Sequence, residues 1–287
     1  MSFLPQRLVF ETQPHFFLVG EGWGNPFDPP VILLHGGGQT QHSWGDTAKV
    51  LAEKGWYAIT YDARGHGASS WSAEGNYLTD ALVADLKAVI YQIGVKPALI
   101  GASMGGITAM MLEGESEEAQ ASAIVLVDIA PKAEQKGIER IFAFMSSHLE
   151  SGFGSLEEAA QVVAAYLPQR AKNNDHSRLE KNLRLRHGRY YWHWDPQMLK
   201  TWKSATPDQQ IAYEQRLYDA DLHLKAPTLI VRGGISDVVS ERVMAEFLDA
   251  VPHVRSLTVS GAGHMVVGDS NHAFTNAVVD FLNEVYN

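Results

Sequence analysis

Short apolar runs that alternate with helical segments constrain the fold of this chain more than any other sequence feature. The runs are rich in valine, isoleucine, leucine and alanine and do not alternate with charged residues, which is typical of strands buried on both faces. They occupy residues 31–34, 57–60, 98–100, 123–127 and 227–231. The segments between them predict helices near residues 44–54, 79–93 and 104–113. Because strands alternate with helices, we predict an α/β fold with a mostly parallel central sheet and helices on both faces.

The remaining elements are predicted at the two ends of the chain. Alternating apolar and polar residues at 7–10 and 16–19 predict a leading hairpin of edge strands. The closing elements are predicted as a helix over residues 241–250, a strand over residues 256–259 and a helix over residues 271–285.

One long internal segment departs from the alternation. After Asp128 the chain becomes polar and helical, with no convincing buried strand until residue 227. We therefore predict a core domain formed by residues 1–130 and 224–287, and a helical subdomain formed by residues 131–223. This subdomain is called the insertion below.

Composition limits the classes of partner. The chain has 287 residues, 45% of them hydrophobic, which is enough for one large core. Its 23 basic and 33 acidic residues give a net charge of −10, which disfavours nucleic acid and anionic membranes as partners. Because there is no cysteine, disulfides, thiolate metal sites and cysteine nucleophiles are excluded. The sequence shows neither a signal-peptide core nor an apolar run of roughly 20 residues, so we expect a cytoplasmic protein with no membrane contact.

A glycine-flanked serine marks the candidate nucleophile. Residues 101–105 read Gly-Ala-Ser-Met-Gly and lie between an apolar run and a helix of small residues. A serine in this position must turn sharply, and flanking glycines remove the side chains that would clash at the turn. The alternative is a tight turn in which Ser103 only caps the helix. The pattern favours Ser103 as a nucleophile above a helix N-terminus, where negative charge is stabilised.

A serine hydroxyl needs a base, and the base needs a carboxylate that fixes its tautomer. His264 follows the last predicted strand on a loop of small residues, and Asp237 lies on the loop after residue 231. The order Ser103, Asp237, His264 is the order of the nucleophile-elbow enzymes. Asp128, at the end of the preceding core strand, is the competing acid. We favour Asp237, because Asp128 leads directly into the packed start of the insertion.

Three consecutive glycines follow the first buried strand and predict an oxyanion hole. Glycines at 36–38 let backbone amides face a bound carbonyl oxygen without obstruction by side chains. One donor is expected from Gly37 or Gly38, and the other from the amide of Met104, directly after the nucleophile. A phosphate cradle is the weaker reading, since neither the dinucleotide fingerprint nor a following Lys-Ser/Thr is present.

These motifs together resemble those of a known family. The segments 35–38, 61–69 and 101–105, followed by Asp237 and His264, are similar in kind and order to the motifs of the α/β-hydrolase superfamily. Within it the chain resembles the capped serine esterases related to epoxide hydrolases, haloalkane dehalogenases, lactonases and cofactor-free perhydrolases. The resemblance implies the α/β-hydrolase fold with a helical cap inserted after the strand that ends near Asp128.

The resemblance also implies a reaction class. Epoxide hydrolases and dehalogenases carry aspartate at the elbow, whereas this chain carries Ser103. The expected function is therefore hydrolysis of small-molecule carboxylic esters through an acyl-enzyme, with no cofactor and no metal. Lactonase, carbon-carbon bond hydrolase and perhydrolase activities remain as alternatives, as does a ligand receptor that retains the pocket. Monomer and homodimer both remain open.

Aromatic and histidine side chains supply the pocket candidates. We predict His42, Trp44, Trp192 and Trp194 as residues that line the pocket, with core packing as the alternative for the tryptophans. The spacing of Trp192 and Trp194 puts both on the same side of an extended segment. Arginines interleave with aromatic residues over 184–196. They are expected to face solvent or pair with acids, with recognition of an acidic substrate as the sharper hypothesis; the net negative charge disfavours single-stranded nucleic acid.

Overall fold

A computed structural model describes residues 4–167, 177–266 and 272–286 of the chain. The strands within these ranges are β1 (Gln6–Gln13), β2 (Phe16–Trp23), β3 (Pro30–Leu34), β4 (Tyr57–Tyr61), β5 (Ala98–Ala102), β6 (Ala123–Val127), β7 (Leu183–Arg186), β8 (Arg189–Trp192), β9 (Thr228–Gly233) and β10 (Arg255–Val259). Eight of them form one sheet in the order β1-β2-β4-β3-β5-β6-β9-β10. Strand β2 pairs antiparallel with both β1 and β4, and the other neighbouring strands of this sheet pair in parallel. The predicted α/β class and mostly parallel sheet are confirmed.

Helices cover both faces of this sheet. The described helices, those on the two faces and those of the insertion together, are α1 (Gly45–Glu53), α2 (Thr79–Ile93), α3 (Met104–Gly114), α4 (Gln135–Ser146), α5 (Leu156–Tyr166), α6 (Ser177–Glu180), α7 (Pro196–Lys203), α8 (Pro207–Leu222), α9 (Glu241–Ala250) and α10 (His272–Tyr286). Ile32 and Leu34 of β3 belong to a hydrophobic cluster with α2, α3, α8 and α9. Val31 and Leu33 belong to a cluster on the other face with α1 and α10. Alternate residues of one strand thus serve two cores, which is why the central strands contain no polar alternation.

The predicted core elements agree closely with the observed ones. The helices at 79–93 and 241–250 have the predicted bounds, and the leading hairpin is present with longer strands. The final helix was predicted from Asn271, which lies outside the described residues; the described helix is α10, from His272. No described helix is both long and apolar enough to cross a bilayer.

The insertion differs from the expected all-helical subdomain. Besides α4 to α8, it contains an antiparallel hairpin of β7 and β8, outside the main sheet. The prediction missed this hairpin because its strands are not buried on both faces: Leu183–Arg186 alternates leucine with arginine and has no buried residue, and in Arg189–Trp192 only Trp192 is buried. A third hydrophobic cluster holds the insertion together and includes Trp192, Trp194 and Met198.

Two parts of the insertion contact the core differently. Tyr77, from the core, is buried in the third cluster, and its hydroxyl donates to Asp195 at 2.5 Å. At the C-terminal end of the insertion, α8 packs with α3 in the core cluster, and a Cβ added to Gly114 would lie 2.1 Å from the carbonyl oxygen of Ala220. Helix α8 therefore belongs to the predicted insertion by sequence but packs in the main core. The boundary at residue 223 stays a prediction.

Candidate active site

The elbow at Ser103 has the strained geometry that its sequence predicts. Ser103 has φ 47° and ψ −117°, a conformation that residues with a side chain rarely adopt. A Cβ added to Gly101 would lie 2.5 Å from the backbone of Gly105, and one added to Gly105 would lie 2.4 Å from the carbonyl oxygen of Leu34. Both glycines are therefore required by close backbone approach. The turn brings the half-buried Ser103 to the N-terminus of α3.

His264 is held by a buried carboxylate, and that carboxylate is Asp128. The Nδ1 of His264 lies 2.7 Å from Oδ2 of Asp128, and their side chains are 6% and 0% exposed. Asp128 also accepts from the N–H of Gly233 at 2.8 Å and the hydroxyl of Ser236 at 2.6 Å. Because a carboxylate surrounded by donors can only accept, Nδ1 of His264 carries the proton. The Nε2 atom is left with a lone pair, as a general base requires.

The preference for Asp237 as the acid is not supported by this geometry. Arg140 of α4 donates to both carboxylate oxygens of Asp237, from Nε at 2.5 Å and from Nη2 at 2.8 Å, and the Asp237 side chain is 38% exposed. The hydrogen bond from Arg140 lowers the pKa of Asp237, with a smaller contribution from the nearby His264. Asp237 lies beyond the turn that follows β9, and the loop carries it towards the insertion. Asp128 directly follows β6 with φ 50° and stays under His264.

The loop of glycines 36–38, called the oxyanion loop below, offers one free amide among its three glycines. The N–H of Gly36 donates to Oε1 of Gln39 at 2.9 Å, and the N–H of Gly38 donates to Nε2 of His66 at 3.2 Å. The N–H of Gly37 has no hydrogen-bond acceptor among the described residues. The prediction of Gly38 as a donor is therefore wrong, because its N–H is already bound. Gly37 remains as a predicted donor, together with Met104 at the first position of α3, where the amide has no intrahelical acceptor.

Three buried histidines lie beside this loop. The rings of His35 and His66 are 4.9 Å apart, and those of His66 and His193 are 5.8 Å apart. Burial lowers the pKa of His35, lowers that of His66 well below its ordinary value, and lowers that of His193 to about 3. All three are therefore neutral imidazoles. His35 and His66 both bind loop backbone. Sequence reasoning missed His193, because only its place in the basic and aromatic segment distinguished it.

Side chains of the insertion lie directly over the oxyanion loop. A Cβ added to Gly37 would lie 3.2 Å from Cη2 of Trp202 and 3.8 Å from Sδ of Met145. Trp202 also packs edge-on against Phe142, and its indole N–H donates to the carbonyl oxygen of Tyr77 at 3.3 Å. No sequence motif surrounds Trp202 or Met145. Only the docking of α4 and α7 on the core reveals them.

The predicted pocket residues have other places in the structure. Trp44 is fully buried in the core cluster that contains Phe274, so its prediction as a lining residue is wrong. His42 is exposed in the helical turn Gln41–Trp44. Trp192 and Trp194 are on the same side, as predicted, with their rings stacked 4.7 Å apart. Both belong to the cluster inside the insertion, so core packing describes them better than pocket lining.

The arginines of the hairpin bind backbone and an aromatic ring. Arg184 donates to the carbonyl oxygen of Gly67 and lies 4.7 Å from the ring of Trp71, and Arg186 lies 5.3 Å from the same ring. Arg189 donates to the carbonyl oxygen of Ser151 at 2.6 Å. These contacts attach the hairpin to its surroundings. Arg186 and Arg189 are exposed, which agrees with the expectation of solvent-facing arginines rather than with pairing to acids. Within the described ranges, no group of three or more histidine, aspartate or glutamate side chains is arranged to hold a metal ion.

The chain is similar to proteins of one fold family. The family model described as alpha/beta hydrolase fold matches residues 29–270. A 3-hydroxybutyrate-oligomer hydrolase from Cupriavidus necator is 28% identical over 250 residues, which cover 84% of this chain and 85% of that protein. The esterase Rv0045c from Mycobacterium tuberculosis is 30% identical over 263 residues, which cover 89% of this chain and 83% of that protein.

Solved structures of hydrolases also superpose on this chain. A crystal structure of the esterase Rv0045c superposes with a TM-score of 0.72 at 28% identity and covers 98% of this chain and 92% of that one. The structure of E-2-(acetamidomethylene)succinate hydrolase superposes with a TM-score of 0.79 at 21% identity and covers 98% of this chain and 99% of that one. At that identity the second likeness concerns the fold alone.

Proposed function

Because the chain belongs to the α/β hydrolase fold family, we propose that it is a serine esterase that cleaves carboxylic esters of small molecules. The observation that carries the proposal is the contact of 2.7 Å between His264 and Asp128. It fixes the imidazole tautomer that a serine nucleophile needs and lies on the same edge of the sheet as the strained Ser103. The names of the two sequence relatives, an esterase and an oligomer hydrolase, support an ester bond as the target.

The mechanism proceeds through a covalent acyl-enzyme. Ser103 Oγ attacks the ester carbonyl carbon while Nε2 of His264 takes the hydroxyl proton, and Asp128 stabilises the imidazolium. The amides of Gly37 and Met104 donate to the oxyanion. The ester C–O bond then breaks, and His264 returns the proton to the departing alkoxide. Water, deprotonated by His264, attacks the acyl carbon, and the carboxylic acid leaves as Ser103 regains its proton.

The insertion acts as the cap of this site in our proposal. Trp202 and Met145 lie over Gly37, so the carbonyl end of a bound substrate meets an apolar wall. An apolar wall favours substrates whose acyl chain is uncharged and sets a limit on its length. Replacing Trp202 with alanine is expected to move the optimum of an acyl-length series towards longer chains.

The test uses the nucleophile variant Ser103→Ala with a series of p-nitrophenyl esters. The wild-type protein is expected to hydrolyse short esters and to form a covalent adduct at Ser103 with a fluorophosphonate, detected by mass spectrometry. The folded Ser103→Ala protein is expected to lose both properties. Turnover by this variant at the wild-type rate would contradict the proposal. The same series, extended to lactones and to a vinylogous diketone, separates ester hydrolysis from lactonase and carbon-carbon bond hydrolase activity, which would use the same Ser103, Asp128 and His264.

A further inference from the structure

The direction of the Gly37 amide depends on what binds its neighbours. Gly36 and Gly38 flank it, and both have their N–H groups fixed, the first by the side chain of Gln39 and the second by His66. The peptide unit that carries the Gly37 N–H also carries the Gly36 carbonyl oxygen, which accepts from the N–H of Gln39 at 3.1 Å and lies 2.8 Å from Nδ1 of His35. The Gly38 N–H belongs to the next peptide unit, so the orientation of the Gly37 N–H is set by hydrogen bonds on both sides of it.

Gln39 is a local partner, whereas His66 comes from a different loop. The Oε1 of Gln39 accepts from an amide three residues away, and its Nε2 lies 2.9 Å from Sδ of Met265, next to His264. His66 lies on the loop after β4, far from Gly38 along the chain. The hydrogen bond between His66 and Gly38 therefore connects two separate loops at the site.

The tautomer of His66 follows from its two contacts. Its Nδ1 lies 3.0 Å from the carbonyl oxygen of Arg64, which can only accept, so Nδ1 carries the proton. The Nε2 atom is then an acceptor and matches the Gly38 N–H. Its low pKa keeps the ring neutral in the ordinary working range, so this acceptor is retained.

The ring of His66 is also held in place on both sides. It is 0% exposed and contacts His35 edge-on at 4.9 Å and His193 at 5.8 Å. His193 belongs to the insertion, and its Nδ1 accepts from the N–H of Gly67 at 2.9 Å, next to His66 in the chain. His35 accepts from the N–H of Ala63 at 2.9 Å, in the same loop. A ring packed in this way cannot turn its acceptor away from Gly38.

We propose that His66 is a positioning residue for the oxyanion hole: by accepting the Gly38 N–H, it fixes the peptide unit after Gly37, while the contacts of the Gly36 carbonyl fix the unit before it, and together they direct the Gly37 N–H towards the substrate carbonyl oxygen. His66 itself touches no reacting atom, so it acts through the loop. This inference rests on the proposed esterase function. It predicts that a change at His66 weakens binding of the transition state more than binding of the ester.

The test compares His66→Phe with His66→Gln in the full chain. Phenylalanine keeps a ring but removes the acceptor, whereas the glutamine amide oxygen can occupy the place of Nε2. We expect His66→Phe to lower kcat about 10- to 100-fold with little change in KM, and to weaken an aliphatic trifluoromethyl ketone inhibitor by a similar factor. We expect His66→Gln to restore most of kcat and inhibitor affinity. A purely structural role would instead lower the melting temperature without separating kcat from KM.

Two results would overturn the inference. One is a folded His66→Phe protein with wild-type kcat and inhibitor affinity. The other is independent of any variant: NMR of nitrogen-labelled histidine in the wild-type protein is expected to show the His66 proton on Nδ1, and a proton on Nε2 would contradict the proposed hydrogen bond. Failure of the esterase proposal is recognised separately, because Ser103→Ala would then leave turnover unchanged whatever His66 does.

Discussion

Two aspartates follow neighbouring parallel strands of the sheet, yet only one of them meets His264. Asp128 follows β6 and is buried among three donors from His264, Gly233 and Ser236. Asp237 follows β9, is 38% exposed and binds Arg140 of the insertion. A buried carboxylate needs donors to offset the loss of water, so the set of donors around Asp128 supports our assignment of Asp128 as the partner that orients His264. The exposed carboxylate of Asp237 instead joins the core to the insertion.

The largest expected effect comes from replacing these two aspartates in turn. Asp128→Asn removes the charge that stabilises the imidazolium and places an amide that can also donate, so the wrong tautomer of His264 becomes available. We expect kcat to fall about 10³- to 10⁴-fold. The matched control, Asp237→Asn, is expected to change kcat by less than about fivefold, the size of an exposed ion pair. Steady-state hydrolysis of a p-nitrophenyl ester measures both, and equal losses would remove the distinction.

A third aspartate contrasts with Asp128, because it is buried but has no hydrogen-bond donor to its carboxyl group among the described residues. Asp221, near the end of α8, is 1% exposed, and neither carboxyl oxygen has a hydrogen-bond partner among the described residues. Burial raises its pKa to about 8 from an ordinary 3.8. The folded state thus binds a proton that the unfolded state releases, so stability falls as pH rises from about 4 to about 8.

The variant Asp221→Asn removes this dependence. We expect it to be more stable than the wild type by about 1–3 kcal/mol near pH 8, with a smaller gain or a loss near pH 5, since the amide never has to lose a proton. Urea denaturation at both pH values measures the difference. The same offset at both values would show that Asp221 does not titrate in this range.

The next largest effect is expected when a hydrogen-bond donor to Asp128 is removed. Ser236→Ala removes the hydroxyl that donates to Oδ2 of Asp128, so the carboxylate is less firmly held against His264. We expect kcat to fall about 10-fold, the equivalent of roughly one hydrogen bond. Ser240→Ala is the matched control, since Ser240 caps α9 and donates to Glu134 without touching Asp128. Kinetics that fail to distinguish the two serine variants would count against this role.

The smallest effect is expected at the ion pair of Asp237. Arg140→Met is expected to lower stability at neutral pH by about 0.5–1 kcal/mol, because both partners are well exposed. The pKa of Asp237 is lowered in the folded state, so the pair stabilises the fold above the ordinary pKa and loses that effect as pH falls through the folded value. Chemical denaturation should therefore show a smaller difference in acid than at neutral pH. A difference that grows in acid would contradict the pairing.

The elements of the core could be predicted because their signals are local. Helix α2 follows from apolar residues at three- and four-residue steps, and the central strands follow from runs buried on both faces. The elbow at Ser103 follows from glycines that the close backbone approach requires. In each case neighbouring residues contain the whole pattern.

The rest of the site depends on contacts between distant segments. Asp128 and Asp237 both follow core strands, and only the docking of Arg140 on Asp237 and the closeness of His264 to Asp128 separate them. Trp202 meets the oxyanion loop through the packing of the insertion, which no periodicity encodes. The hairpin of β7 and β8 was missed because exposed strands lack the apolar run of a buried one.

The assignment of Asp128 as the partner of His264 is tested most directly by the rate at which Ser103 reacts with a fluorophosphonate. This rate reports activation of the nucleophile itself, without substrate binding at the insertion or release of product. We predict that wild type and Asp237→Asn form the Ser103 adduct at similar rates, while Asp128→Asn reacts at least about 100-fold more slowly. Normal labelling of Asp128→Asn, with slow labelling of Asp237→Asn, would contradict the assignment.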